Sequence, residues 1–176
     1  MATAFVLDTC VISESFWPRP RENVMRFLQT ASNYYIPAGA LMELQAGITE
    51  VCATNPLKAV ALSKWYYELL RSGVPIIETG KEVSEIWGIL SVDPRLKAYS
   101  GRDGRSKSRG GQDLHIAAAA LAHRLPIATM NVGDFMRIDA CHPLPGIYDP
   151  AQDVWHTRME PLAVRYPATS RELERE

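Results

Sequence analysis

Short apolar runs alternate along this chain with longer stretches in which apolar residues recur at helical spacing. Residues 4–7 (AFVL) form a continuous apolar run ending in Asp8, which predicts a buried, central strand whose carboxyl end presents an acid. A helix is expected over about residues 15–31, where Val24, Phe27, Leu28 and Ala31 share a helical spacing and Pro18 and Pro20 suit the start. Thr9 and Ser13 read as turn or cap residues ahead of it. Residues 34–37 give a second short strand, and residues 38–48 a helix with Leu41, Leu44 and Ile48 on one stripe and Glu43 off it. Pro56 opens a further helix over 57–71 that carries Val60, Trp65, Tyr66 and Leu69, and Gly73 closes it. A third strand is expected at 74–77. The helix expected over 81–90 faces Val83, Ile86, Trp87 and Leu90 inward, and Asp93-Pro94 ends or kinks it.

The pattern is most concentrated in residues 110–135, GGQDLHIAAAALAHRLPIATMNVGDF, which read as one αβ unit. Asp113 falls in the first turn of a helix that is apolar almost all round, so that helix must be buried. Alanines 117–120 lack bulk and let its backbone lie close to a sheet. Residues 125–129 follow as a short buried strand, with Asn131 and Asp134 just past it. One more edge strand is expected near 146–148. From residue 149 the chain is polar and proline-punctuated, and residues 171–176 read as a frayed helix or disorder. This alternation of strands and helices argues an α/β sandwich on a parallel sheet. One domain is expected over 1–148, with 149–176 as a C-terminal extension.

With 176 residues, 47% apolar and 22% charged, the chain has ordinary globular usage and enough length for one core. No apolar run approaches the ~20 residues needed to cross a bilayer, and residues 1–7 lack the features of a secretory leader, so a cytoplasmic protein without membrane contact is expected. Cys10, Cys52 and Cys141 are odd in number and widely spaced, which fits reduced thiols and argues against structural zinc. The formal net charge of −1 conceals an asymmetry. Residues 95–109 hold Arg95, Lys97, Arg102, Arg105, Lys107 and Arg109 against Asp103 alone, a local +5 that leaves −6 elsewhere. Residues 100–111 contain no apolar side chain and predict an exposed mobile loop, whose charge serves either solvation or a polyanion.

Candidate chemistry lies in the acids. Asp8 follows a strand, Glu43 lies about six residues past one, Asp113 opens a buried helix and Asp134 lies five residues past a strand, so all four fall at one edge of a parallel sheet. That edge is where open α/β sheets bind ligands. Taken singly, each acid has a plain structural role as turn residue, helix-terminal charge or exposed face. Together they repel, and a divalent cation removes that cost. Hard oxygen ligands with open positions suit Mg²⁺ or Mn²⁺, which take substrate phosphate as a further ligand and acidify water for attack.

The strings FVLDTCVISE at 5–14, MEL at 42–44, QDLHIAAAALAH at 112–123 and IATMNVGDF at 127–135 resemble the successive motifs of PIN-domain ribonucleases, most closely the VapC-type toxins of bacterial toxin–antitoxin pairs. The resemblance covers about residues 4–148. It implies a three-layer sandwich with a central parallel sheet of four or five short strands flanked by helices. It also implies Mg²⁺- or Mn²⁺-dependent RNA hydrolysis at a pocket of Asp8, Glu43, Asp113 and Asp134, with tRNA or ribosomal RNA as substrate classes. A homodimer and an antitoxin whose segment, often with an arginine, plugs the pocket are implied as well. Thr129 and Asn131 match polar positions beside the last acid, and Thr9 is a further supporting residue. Arg102, Arg105, Lys107 and Arg109 directly precede Asp113 in sequence and would meet RNA phosphates. Cys10 stands where the family usually has asparagine and Met130 where arginine is frequent. Two other readings stay open: a catalytically silent RNA- or protein-binding module of the same fold, and a structure-specific DNA nuclease.

Other signals carry less. GRDGRSKS at 101–108 lacks a glycine and a preceding strand for a P-loop. His115, His123, His142 and His156 have no zinc spacing and read as surface or satisfied histidines. Trp65, Tyr66, Trp87 and Phe27 read as core or dimer contacts rather than base-stacking platforms. Cys10 reads as a packing or supporting residue near Asp8, not a nucleophile.

Overall fold

The strand β1 (Ala4–Leu7) is the one on which the sheet assembles. The computed structural model describes residues 3–31, 33–99 and 112–158; the expected basic loop with Arg102, Arg105, Lys107 and Arg109, and the expected frayed tail, lie outside them. Val6 of β1 faces Tyr35 of β2 (Asn33–Pro37) on one side and Ile127 of β4 (Ile127–Ala128) on the other, both in parallel. β3 (Ile76–Ile77) extends the sheet beyond β2, β5 (Gly146–Asp149) extends it beyond β4, and β6 (Val154–Arg158) closes it, giving the order β3-β2-β1-β4-β5-β6. Five strands run parallel, so their carboxyl ends share one edge. They are short, and the middle ones are buried on both faces, which explains their unbroken apolar character.

The helices are α1 (Thr9–Glu14), α2 (Glu22–Thr30), α3 (Ala38–Thr54), α4 (Pro56–Arg71), α5 (Lys81–Val92), α6 (Gln112–His123) and α7 (Val132–Asp139), with a 3₁₀ turn at Pro94–Tyr99. α2 covers the face from which Phe5 projects, through an edge-on Phe5–Phe27 contact with centroids 5.2 Å apart. α6 packs against β1, β2, α3, α5 and α7. Leu114 and alanines 117–120 within it are fully buried, as its all-round apolar sequence requires.

The expected α/β sandwich is therefore present, with several boundaries revised. The helix expected over 15–31 is shorter: the segment with Pro18 and Pro20 precedes it, and α2 starts only at Glu22. Thr9 and Ser13, expected as turn or cap residues, instead lie within α1, which begins directly after Asp8. Proline has no N–H to continue a helical ladder, so this turn stays open until the chain passes it. α7 was not expected, because Val132 and Gly133 at its start are poor helix formers and its eight residues leave little periodicity. Trp87 is half exposed instead of facing inward. The strand expected at an edge near 146–148 is internal, because β6 pairs with it antiparallel. Asp149 makes that reversal: its Oδ1 accepts from the Ala151 N–H at 2.8 Å and the Gln152 N–H at 3.3 Å, and Asp153 takes a positive φ of 57°.

The tight seating of α6 predicts that Ala118→Leu lowers stability by about 1–3 kcal/mol, since added methylenes have no space to enter. Leu57→Ala, at an exposed site on α4, is expected to stay within about 0.5 kcal/mol. Urea unfolding midpoints of the two variants measure the difference.

Candidate functional site

Asp8 sits where β1 ends and α1 begins. Its extended backbone (φ −76°, ψ 153°) places it at the helix N-cap, and its carbonyl accepts from the Val11 and Ile12 N–H groups at 3.0 and 3.2 Å. The side chain is buried. Its Oδ2 accepts from the Thr129 hydroxyl at 2.6 Å and from the Cys10 thiol at 3.0 Å. Burial raises the Asp8 pKa, and these two donors together with the Thr9 and Cys10 backbone pull in the opposite direction. Thr129, just past β4, is itself fully buried and accepts from the Asn131 N–H at 2.8 Å, so the ends of two adjacent strands are tied through one hydroxyl.

Glu43 comes from the second turn of α3. The Thr9 hydroxyl donates to its Oε2 at 2.9 Å. The position of α3 against α6 is set by a close approach at Gly39, where a Cβ would lie 2.7 Å from His115 Nδ1. Only glycine allows that crossing, and it brings Glu43 of one helix toward Asp113 of the other. Asp113 lies in the first turn of α6 with its carboxyl largely buried. Its pKa rises from 3.8 to about 7, first through burial and then through the charges of Asp8, Glu43 and Asp134. Asp134, in the first turn of α7, accepts from Asn131 Nδ2 at 2.7 Å and from Arg137 Nη1 at 3.3 Å.

The four acids expected at one sheet edge are thus electrostatic neighbours, and each of Thr9, Thr129 and Asn131 donates to one of them. Among the described residues, no three carboxylate, thiol or imidazole groups are drawn into a finished coordination group. The donor set itself fits a hard divalent cation: it is carboxylate and hydroxyl oxygen, and the one soft donor nearby, Cys10, is held protonated by burial and by the Asp8 charge.

Two groups escaped the sequence reading. Arg21, ahead of α2, lays its Nη1 against the Met130 sulfur, while its backbone N–H donates to Glu14 Oε2 at 2.7 Å. A cation thus approaches Met130 from a different element. Arg137 on α7 pairs with Asp134. Neither had a signal without α7 and the Pro18–Pro20 turn in view. His115 is neither at the surface nor fully satisfied: Nε2 bonds the Thr79 hydroxyl at 2.9 Å, and buried Nδ1 has no partner among the described residues. Its burial lowers its pKa, so it is a neutral packing group beside Gly39.

Comparisons with known proteins bear on the family and the fold. The PIN domain family model matches residues 5–140. Toxin FitB of Neisseria gonorrhoeae is 27% identical over 153 residues, 86% of this chain and 98% of that protein. Among solved structures, FitAB bound to an IR36 DNA fragment superposes with a TM-score of 0.60 at 24% identity, covering 87% of this chain and 99% of that one. VapBC-5 from Mycobacterium tuberculosis, a member of the VapBC family of toxin–antitoxin systems, gives 0.52 at 22% identity over 84% of this chain and 97% of that one. At these identities the two structures speak for the fold.

The raised pKa of Asp113 has a signed consequence. Between the ordinary carboxylate range and about pH 7 the folded chain holds a proton there that the unfolded chain has lost, so stability falls as pH rises through this window. In EDTA the melting temperature is expected to decline from pH 4.5 to 7.5, with Asp8 adding in the same direction. Asp113→Asn is expected to flatten most of that slope and to melt higher than wild type at pH 7.5. A slope unchanged by Asp113→Asn would contradict the assignment.

Proposed function

The chain belongs to the PIN-domain family, and from that premise we propose that it is a metal-dependent endoribonuclease, the toxin of a toxin–antitoxin pair, hydrolysing RNA phosphodiester bonds at Asp8, Glu43, Asp113 and Asp134. The observation that carries the proposal is the lift of the Asp113 pKa to about 7 by burial and three neighbouring acids. A purely structural role leaves that cost unexplained, whereas a Mg²⁺ or Mn²⁺ ion offsets it. When bound, the ion supplies a Lewis acid for the phosphate and lowers the pKa of an attacking water.

The chain's own residues prepare that chemistry. Thr129 and Cys10 hold one oxygen of Asp8, Thr9 holds one of Glu43, and Asn131 with Arg137 holds Asp134. Such hydrogen bonds fix the direction of each carboxylate before a ligand arrives. Asp113 must be ionised to act as a ligand, so cation binding near neutral pH releases a proton from its carboxyl. Arg102, Arg105, Lys107 and Arg109, next to Asp113 in sequence, supply positive charge for RNA phosphates.

The named relatives support the toxin role and a protein antitoxin as partner. An apolar surface on α4, where Leu57, Val60 and Tyr67 are exposed, supports a protein contact such as a homodimer. Structured tRNA or ribosomal RNA is the proposed substrate class, and the cytoplasm the proposed compartment. Among the described residues no helix is long and apolar enough to cross a membrane.

Purified Asp8→Asn and Asp113→Asn variants are expected to lose more than about 100-fold of Mg²⁺-dependent RNA cleavage, and Thr129→Val about 10- to 100-fold. Both Asn variants are also expected to lose growth inhibition. Cleavage retained by the Asn variants would defeat the proposal. Wild-type activity confined to flap DNA would shift it to a DNA nuclease.

A further inference from the structure

A groove of about 200 Å³ opens directly beside the acids, between the end of α1 and the α3–α4 pair. Thr9 and Glu43 line it together with Phe16, Trp17, Lys58 and Trp65. Its lining combines those aromatic side chains with the aliphatic ones of Leu44, Ile48, Val51 and Leu62. Phe16 meets Trp17 and Trp65 edge-on, each with centroids 5.6 Å apart. Trp65 is oriented by a 3.1 Å hydrogen bond from its Nε1 to the Ser15 hydroxyl. Trp17, by contrast, is 47% exposed, with the Lys58 ammonium 5.3 Å from its ring centroid.

We propose that this groove is a base-binding subsite, which takes one unpaired nucleobase of the RNA next to the phosphate engaged at the acids. The inference rests on the nuclease reading of those acids and adds where the neighbouring nucleotide goes. Three observations favour a base. The volume falls below the roughly 300–1,000 Å³ of sites for drug-sized ligands, which suits a single flat heterocycle. Unstacked bases are held against aromatic side chains, and every base offers a π-face to Trp17 or Trp65. The charge is also appropriate: Lys58 stands where a ligand carrying both a ring and a phosphate meets a cation, at the rim of an otherwise acidic centre. Thr9 spans the two regions, because its hydroxyl donates to Glu43 while the residue lines the groove. A base can enter only if it is unpaired, so the substrate class narrows to single-stranded loops or bulges.

The test uses the full-length protein in Mg²⁺ with adenosine, cytidine, guanosine and uridine 5′-monophosphates, which contain no diester to cleave, and ribose 5-phosphate as the baseless control. Quenching of tryptophan emission by at least one nucleotide at millimolar concentration is expected, with none from ribose 5-phosphate. Trp17→Ala is expected to weaken nucleotide binding by roughly 5- to 100-fold, the range of one base–aromatic stack. In RNA cleavage its loss should fall mainly on KM, and an abasic nucleotide beside the cleaved bond should impair wild type far more than Trp17→Ala. Lys58→Ala should reduce the salt dependence of RNA binding by about one phosphate contact. No quenching by any nucleotide, equal response to ribose 5-phosphate, or unchanged abasic discrimination in Trp17→Ala overturns the subsite, even with Asp113→Asn inactive. A Trp17→Ala variant that loses a protein partner but binds nucleotides normally assigns the groove to that partner and also overturns it. Groove variants behaving as expected while Asp113→Asn still cleaves would instead defeat the assignment of the acids as the cleaving centre and leave the base site standing.

Discussion

Repulsion among carboxylates is the constraint that the rest of this structure is arranged to withstand. Asp8, Glu43 and Asp134 all push on Asp113, and burial of Asp113 makes each push stronger. Left to themselves such groups would separate into solvent. They are held because each is fixed by a different, well-packed element: the end of a central strand, a long helix, the first turn of a buried helix and a short helix after the neighbouring strand. The close crossing at Gly39 and His115 keeps α3 and α6 from sliding apart. The Thr129 hydroxyl, with no exposure to solvent, ties β1 to the chain leaving β4. The acids are destabilising where they stand, and the surrounding apolar core supplies the stability that keeps them there.

The same edge of the sheet gathers unlike features around that charge. On one side the hydroxyl of Thr9 and the carboxyl of Glu43 lead into an aromatic groove. On another, Arg21 reaches Met130 while anchored by Glu14. Parallel topology explains the concentration. Five strands deliver their carboxyl ends to one edge, and the helices that follow start there, so several distant stretches of sequence converge on a small area.

Much of this was legible along the chain. The unbroken apolar runs before Asp8 and Thr129 could belong only to buried segments, and the alanine-rich helix behind Asp113 had no polar face to show solvent. What escaped reading had weak local signals. α1 spans only six residues, too short for a helical period, and its start depends on Asp8 having left the strand. β6 alternates only between exposed and half-buried positions, and its place comes from long-range pairing with β5 through an Asx turn. Trp17 lies in a turn whose course the two prolines obscure, so its position over the groove is a property of tertiary structure. The Cys10 thiol as a donor to Asp8 likewise needed coordinates.

The central claim is that these acids converge to hold a divalent cation. Isothermal titration of the wild-type protein with Mn²⁺ or Mg²⁺ at pH 7, in two buffers of different ionisation enthalpy, measures it most directly. The account predicts saturable binding with a buffer-dependent heat, because Asp113 gives up its proton, and predicts that Asp113→Asn loses both the affinity and the buffer dependence. Absence of cation binding by a folded wild-type protein that still retains RNA would contradict it.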